Sequence, residues 1–246
     1  MKNLLIYVNP TGFDEESEKL VKIQIDNSLE LGWKKEDILL VTSFDYEYNG
    51  VKATVVEKGY CPFKKENSKE TTIVHLFEIG FIQNELYWCH DLDAYQLEPI
   101  IEEELGLDGL VAGFTDYGRK PMWQMGSFFF KREAEDIFRA VVERLAPGLD
   151  SQRRPRYDEY AMMDLTDNNI NNINSRIKRL SNTYNFGMRR VGFCYEKAEK
   201  PLKVLHFHPQ YEKLNNLNIA MYGKNDLGVP LMNDRLIKIF HHYGYK

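Results

Sequence analysis

Short apolar runs separated by amphipathic stretches set the pattern of the first residues of this chain. Leu4 to Val8 is apolar and stops at Asn9-Pro10-Thr11-Gly12, which predicts a buried strand ending in a turn. Asp14 to Leu31 carries Leu20, Ile23, Ile25 and Leu29 among charges and stops before Gly32, which predicts a helix with a glycine end. Asp37 to Thr42 is a second apolar run. Strand, helix, strand is the opening of a mainly parallel α/β sheet, in which the crossover is right-handed by default.

The periodicity continues in the same style. It predicts strands over Lys52 to Val56, Leu86 to Asp91 and Leu110 to Phe114, and helices over Ser68 to Ile82 and Pro99 to Leu105. Lys131 to Leu145 places Ala134, Ile137, Phe138, Val141, Val142 and Leu145 on one helical face and is broken by Pro147-Gly148. Asp158 to Leu165 starts another helix, the asparagine-rich Thr166 to Asn174 reads as a loop or a poor helix, Val204 to Phe207 is a late strand and Asp234 to His242 a last helix. No internal repeat or long linker interrupts the pattern. The expectation is one α/β domain over residues 1–246, with a mixed central sheet flanked by helices.

Composition narrows the function classes. A chain of 246 residues that is 43% hydrophobic can bury one sizeable core. Its net charge of −5 excludes a global basic field, so a nucleic-acid partner would need a local patch. Cys61, Cys89 and Cys194 form no C-x-x-C pair, which argues against a zinc knuckle or a disulfide framework and fits a reducing compartment. The apolar run before Asn9 is too short for a signal-peptide core or a membrane span, so a cytoplasmic protein is expected.

The stretch LYWCHDLDAYQ carries the most chemistry. It is an apolar strand ending in Asp91-Leu92-Asp93, and residues two apart at a strand end share a side. Two adjacent carboxylates repel unless a cation lies between them, and their oxygens suit a hard ion such as Mg²⁺ or Mn²⁺. The competing explanation is a turn in which both aspartates accept from backbone N–H groups. A later strand, LKVLHFHPQ, puts His206 and His208 on one face, and imidazole also ligates Mn²⁺.

The order of these features resembles the GT-A fold of nucleotide-sugar glycosyltransferases. The likeness falls on LLIYVNP, on TSFDYEYNGVK, on Asp91-Leu92-Asp93, on QMGSFFFKREAEDIF and on VLHFHP. It implies a Mn²⁺ (or Mg²⁺) held by Asp91, Asp93 and a late histidine, His206 favoured over His208, with the cation gripping the diphosphate of a nucleotide-sugar donor. It implies a uridine-type (UDP) donor near Tyr7, Val8, Asn9, Phe44 and Asp45, where Tyr7 or Phe44 stacks on the base and Asp45 accepts from its N–H. Gln124 and Gly126 stand where the family carries Asn-x-Gly, so the sugar contact there departs from the pattern at Gln124. Asp116 is a candidate for holding sugar hydroxyls, against a solvated turn. Asp158 and Glu159 are candidates for the base that deprotonates an acceptor hydroxyl in an inverting enzyme, against a helix cap. Retention would need no such base, and both routes pass through an oxocarbenium-like state. The nucleotide half is expected over residues 1–120 and the acceptor half over residues 121–246.

Three acceptor or partner readings stay open. Arg153, Arg154, Arg156, Arg176, Lys178, Arg179, Arg189 and Arg190, with Tyr184 and Phe186 between clusters, would suit a hydroxymethylated base in duplex DNA, as in phage-encoded transferases, with the base flipped out to react. A small-molecule or cell-surface glycan acceptor is the alternative. A non-catalytic nucleic-acid-binding protein would use the arginines and need neither the acid pair nor the histidine. A nucleotidyltransferase would show a Gly-rich phosphate loop with a following cation after the first strand, which Asn9-Pro10-Thr11-Gly12 lacks.

Overall fold

A computed structural model gives the structure of the protein; it describes residues 1–62, 64–117, 123–145, 157–188, 191–209 and 216–246. In chain order the strands are β1 (Lys2–Tyr7), β2 (Ile38–Thr42), β3 (Glu47–Tyr48), β4 (Val51–Lys52), β5 (Thr54–Val55), β6 (Tyr87–His90), β7 (Ala94–Gln96), β8 (Ala112–Asp116), β9 (Trp123–Phe130), β10 (Ile177–Leu180), β11 (Phe186–Gly187) and β12 (Val204–His206). The helices are α1 (Glu15–Glu30), α2 (Ser68–Glu78), α3 (Glu135–Leu145), α4 (Asp158–Asp167), α5 (Val191–Lys197), α6 (Asn216–Tyr222) and α7 (Asp234–His242). The central sheet runs β10-β8-β9-β6-β1-β2-β5, parallel except for β9, which lies antiparallel between β6 and β8. This is the mixed sheet with helices on both faces that the sequence pattern implies.

Side-chain alternation assigns the faces. Leu4, Cys89, Phe128 and Phe130 pack with Ile73 and Leu76 of α2, Phe138 and Val141 of α3, and Met162 and Leu165 of α4. Leu5, Ile38 and Leu40 point the other way, onto Val21 and Ile25 of α1. Helix α7 then covers α1, with Leu236, Ile239 and Phe240 against Leu20 and Ile23. Helix α1 begins where expected because Asp14 caps it, accepting from Ser17 N at 2.7 Å.

One departure from the sequence pattern, and the outcome of its loop-or-poor-helix reading, have local causes. Pro99 to Leu105 forms only a 3₁₀ turn over Glu102–Leu105, closed by Gly106 in the left-handed region. Three successive glutamates and an early glycine leave too few residues to nucleate an α-helix. The asparagine-rich loop contains a 3₁₀ segment over Ile170–Ser175, with Asn169, Asn171 and Asn172 at φ of 48°, 53° and 55°, a conformation asparagine tolerates. Among the described residues no helix is long and apolar enough to cross a membrane.

A second, three-stranded sheet, β11-β12-β7, sits beside the C-terminal end of β6. Its β12 runs antiparallel to β7, with His206 opposite Ala94. That pairing brings residue 206 back to the aspartates.

Candidate functional site

Asp91 and Asp93 do not lie on one continuous strand. They belong to a turn between β6 and β7, closed by Ala94 N donating to Asp91 O at 3.0 Å. Asp91 N donates to Gly126 O at 2.8 Å, and Asp93 O accepts from Phe207 N at 2.9 Å. The turn is thus tied on one side to β9 and on the other to the end of β12. His206 Nε2 stands 3.2 Å from Asp93 Oδ1 and 3.7 Å from Asp91 Oδ2. One ligand atom from each of Asp91, Asp93 and His206 lies within 4.8 Å of the others.

The donor chemistry of these groups fits a hard divalent cation. His206 Nδ1 donates to Asn185 Oδ1 at 2.9 Å, which holds the ring with Nε2 facing the two aspartates; a cation there would take the place of the Nε2 proton. Asp91 is split between two tasks: Oδ1 accepts from Lys69 Nζ at 2.6 Å, and Oδ2 faces His206. Gly126 makes room. A Cβ there would overlap His206 Cε1 and Nδ1 and lie 3.1 Å from Asp91 Oδ2. It can sit so close because β9 is irregular: Phe114 of β8 pairs with Phe128 but Thr115 with Gln124, so Met125, Gly126 and Ser127 bulge out of that ladder. Burial opposes a charged His206, but Asp93 and Asp91 outweigh it and hold the imidazole above its usual range. The His206 charge in turn holds Asp93 below the usual carboxylate range despite burial.

His208 takes a different position. Its Nε2 lies 3.8 Å from Glu16 Oε1 at the start of α1, and its charge also reaches Asp93. Strand β12 ends at His206, so the alternation that would have aligned both imidazoles does not continue. Of the two, His206 joins the aspartates.

Two charged residues beneath the site escaped the sequence pattern. Lys69 and Glu70 occupy the first turn of α2, where a Ser-Lys-Glu-Thr run ordinarily reads as solvated; both are buried. Lys69 Nζ donates to Asp91 Oδ1 and to Met125 O, each at 2.6 Å, and lies 3.5 Å from Glu70 Oε1 and 3.9 Å from Asp158 Oδ2. Burial disfavours its charge, but Asp91, Glu70 and Asp158 more than offset that, so Lys69 stays an ammonium. Glu70 has no solvent exposure, and burial raises it well above the usual carboxylate range despite Lys69.

Asp158 and Glu159 open α4 beside this network. Tyr157 is the N-cap and makes no side-chain cap bond, so Asp158 is not a conventional cap; its Oδ1 accepts from Glu159 N at 2.9 Å. Glu159 is pushed up to about 7, first by burial and then by the Asp158 charge, while His206 and Lys69 pull the other way. That value suits a group that exchanges protons near neutral pH.

The expected base-binding residues gather at the C-terminal ends of β1 and β2. Phe13 centres the cluster, with its ring 4.6 Å from Tyr7, 4.8 Å from Phe44 and 4.8 Å from Tyr46. Asn9 N donates to Ser43 Oγ at 3.1 Å, and Asn9 Nδ2 to Tyr7 Oη at 3.2 Å. Val8 is buried in the core, and Asp45 is exposed. Farther along, Asp116 accepts from Arg179 Nη1 at 2.6 Å, and the Arg179 guanidinium lies over Trp123 at 4.8 Å. Gln124 Oε1 is buried without a hydrogen-bond partner among the described residues. Arg153, Arg154, Arg156, Arg189 and Arg190 lie outside the described residues.

No protein-family model matches the chain, and no curated protein matches it in sequence. Solved structures do. It resembles the galactosyltransferase LgtC in complex with donor and acceptor sugar analogues, with a TM-score of 0.58 and 10% identity over 98% of this chain and 96% of that one. It resembles the glycosyltransferase GlyE of Streptococcus pneumoniae TIGR4, with a TM-score of 0.56 and 12% identity over 98% of this chain and 63% of that one. A glycosyltransferase involved in glycosylating the major capsid of PBCV-1 matches with a TM-score of 0.55 and 10% identity over 88% of this chain and 98% of that one. At these identities the likeness is one of fold: the chain has the mixed α/β fold of the GT-A glycosyltransferases.

Proposed function

We propose that this protein transfers a sugar from a nucleoside-diphosphate sugar, of uridine type, to a hydroxyl acceptor, with Mn²⁺ or Mg²⁺ held by Asp91, Asp93 and His206. The observation that carries this is the convergence of those three ligand atoms within 4.8 Å, with His206 Nε2 aimed by the Asn185 bond to Nδ1. A cation held there would grip the donor diphosphate and offset charge on the departing nucleotide. The ring cluster of Tyr7, Phe13, Phe44 and Tyr46 offers apolar faces for a base at the strand ends, where ligands of α/β sheets bind. Residues 1–120 then supply the donor side and residues 121–246 most of the acceptor side.

Transfer forms a bond between the acceptor oxygen and the anomeric carbon. That carbon's bond to the phosphate oxygen breaks, and the nucleotide leaves with the electron pair. The acceptor proton passes to a carboxylate, and Glu159, held near 7, is the group best matched to take it. Asp158 raises the proton affinity of Glu159 by its charge and is itself steadied by Lys69 at 3.9 Å.

For the acceptor, a hydroxymethylated base in DNA would draw its basic surface from arginines outside the described residues. Those that are described are engaged: Arg176 with Asp136 at 2.6 Å, Arg179 with Asp116 at 2.6 Å, and Lys178 with Gly106 O at 3.3 Å. We take a saccharide hydroxyl as the acceptor, as the LgtC structure with its acceptor sugar analogue suggests by likeness of fold.

The test is nucleotide release from a panel of UDP-sugars and ADP-sugars, with chelator and with added Mn²⁺. Turnover should need the cation, and Asp93→Ala should abolish it while the circular dichroism spectrum is kept. Cation-independent turnover that survives Asp93→Ala would sink the assignment. Equal calorimetric affinity for UDP and ADP would remove the uridine preference.

A further inference from the structure

The turn that carries Asp91 and Asp93 leads into β7, an edge strand of the small sheet. Odd-numbered residues of this stretch face β12: Phe207 N donates to Asp93 O at 2.9 Å, and Leu97 N donates to Lys203 O at 2.8 Å. Carbonyls of the residues between them point the other way. Those of Leu92, Ala94 and Gln96 therefore lie on the edge opposite β12, where among the described residues no strand is paired.

Helix α1 matches these carbonyls with side chains. Gln24 Nε2 donates to Leu92 O at 2.8 Å and to Ala94 O at 3.0 Å. Asn27 Nδ2 donates to Gln96 O at 2.9 Å, and Arg235 of α7 donates to Asn27 Oδ1 and, at 3.0 Å, to Leu97 O. Gln24 is 1% exposed and Asn27 0%, and both share the helix face of Leu20 and Ile23. A buried amide on an apolar face is costly unless it is hydrogen-bonded, and each of these finds its partner on the β7 edge.

We infer that Gln24 is a positioning residue for the metal turn. Asp91 is tied to β9 through Gly126 O, and Asp93 to the end of β12 through Phe207 N, so the two carboxylates hang on different sheets. The Leu92–Asp93 peptide joins them, and Gln24 fixes its plane from a third element. By holding Ala94 O as well, the same nitrogen fixes the peptide planes that bracket Asp93. Both contacts are carbonyl oxygens, so it is the amide nitrogen, with its two hydrogens, that faces them. A carboxylate of the same shape would set lone pairs against lone pairs. The consequence for the cation rests on the metal reading proposed above; the hold on the turn does not. Asn27 has the same chemistry and burial but acts at Gln96, beyond the turn, and so serves as the matched control.

Gln24→Met keeps the side-chain length and removes both donors, and Asn27→Leu removes the donor at Gln96. Both should lower stability to urea. Mn²⁺ affinity by calorimetry should fall about ten-fold or more in Gln24→Met and stay within about two-fold of the wild type in Asn27→Leu. Without cation, exchange of the Ala94 amide, which donates to Asp91 O, should quicken about ten-fold in Gln24→Met alone when followed by NMR. Should Gln24→Met not fold, Gln24→Asn draws the amide back by one carbon from the same carbonyls and carries both measurements. Where the wild-type chain binds Mn²⁺, unchanged affinity or unchanged Ala94 exchange in the folded Gln24 variant, or an equal loss of affinity in Asn27→Leu, overturns the inference. Faster Ala94 exchange in Gln24→Met beside a wild-type chain that binds no Mn²⁺ would instead overturn the metal assignment and support the hold on the turn.

Discussion

Replacing Lys69 by methionine should destabilise the protein more than any single change at the rim of the site. The ammonium makes two charge-assisted hydrogen bonds of 2.6 Å, to Asp91 Oδ1 and Met125 O, and lies 3.5 Å from Glu70 Oε1. Its side chain is 9% exposed, so solvent cannot take over the lost bond to Met125 O. Losing a hydrogen bond from a charged donor and leaving a buried carbonyl unmatched costs about 1.5–3 kcal/mol. For a chain of this size that is a fall in Tm of roughly 3–12 °C. Most of the cost arises at Met125 O, because Asp91 is 36% exposed and can be partly rehydrated, and burial keeps Glu70 protonated. Glu70→Gln should therefore leave the Lys69→Met loss unchanged within about 0.5 kcal/mol in the double-mutant cycle, because a protonated glutamate and a glutamine are both neutral. Urea unfolding of the four proteins at pH 7, followed by circular dichroism, supplies the cycle. A Lys69→Met variant that loses less than about 1 kcal/mol, or a coupling above about 1 kcal/mol between residues 69 and 70, would refute the idea that Lys69 supports the site as an ammonium beside a neutral Glu70.

The remaining expectations concern the cation and the proton. Gly126→Ala should push the His206 ring off the aspartates and lower Mn²⁺ affinity at least about ten-fold by calorimetry, with a smaller effect on Tm; unchanged affinity would mean that His206 is no ligand. Asn185→Ala should lower Mn²⁺ affinity about 10–100-fold by freeing the imidazole to rotate and change tautomer, and Asn185→Asp should recover much of it. Glu159 is a base only when ionised, and its raised value of about 7 keeps the protonated form to higher pH than an ordinary glutamate. Single-turnover transfer should thus climb about ten-fold per pH unit below 7 and level off above it, and Glu159→Gln should erase that limb. A limb that persists in Glu159→Gln would assign the proton to another group.

The α/β class was legible because it is written in local periodicity. Leu4 to Val8, Asp14 to Leu31 and Asp37 to Thr42 each obey a strand or helix repeat, and the structure forms β1, α1 and β2 there. The aspartate pair was legible as a chemical motif, since two carboxylates one residue apart stand out in any chain. Which histidine joins them was not legible from the residues alone; only the family resemblance favoured His206. His206 and His208 have the same spacing logic, and only the pairing of β12 with β7 and the end of that strand separate them. Lys69 and Glu70 left no trace in the sequence, because a charged helix start is normally solvated; they are buried by the packing of α2 against β1, β9 and α4, a non-local event. Local sequence therefore determined the elements and the chemical types on offer. Long-range strand pairing decided which side chains meet, and burial decided which of their charges and open hydrogen bonds matter.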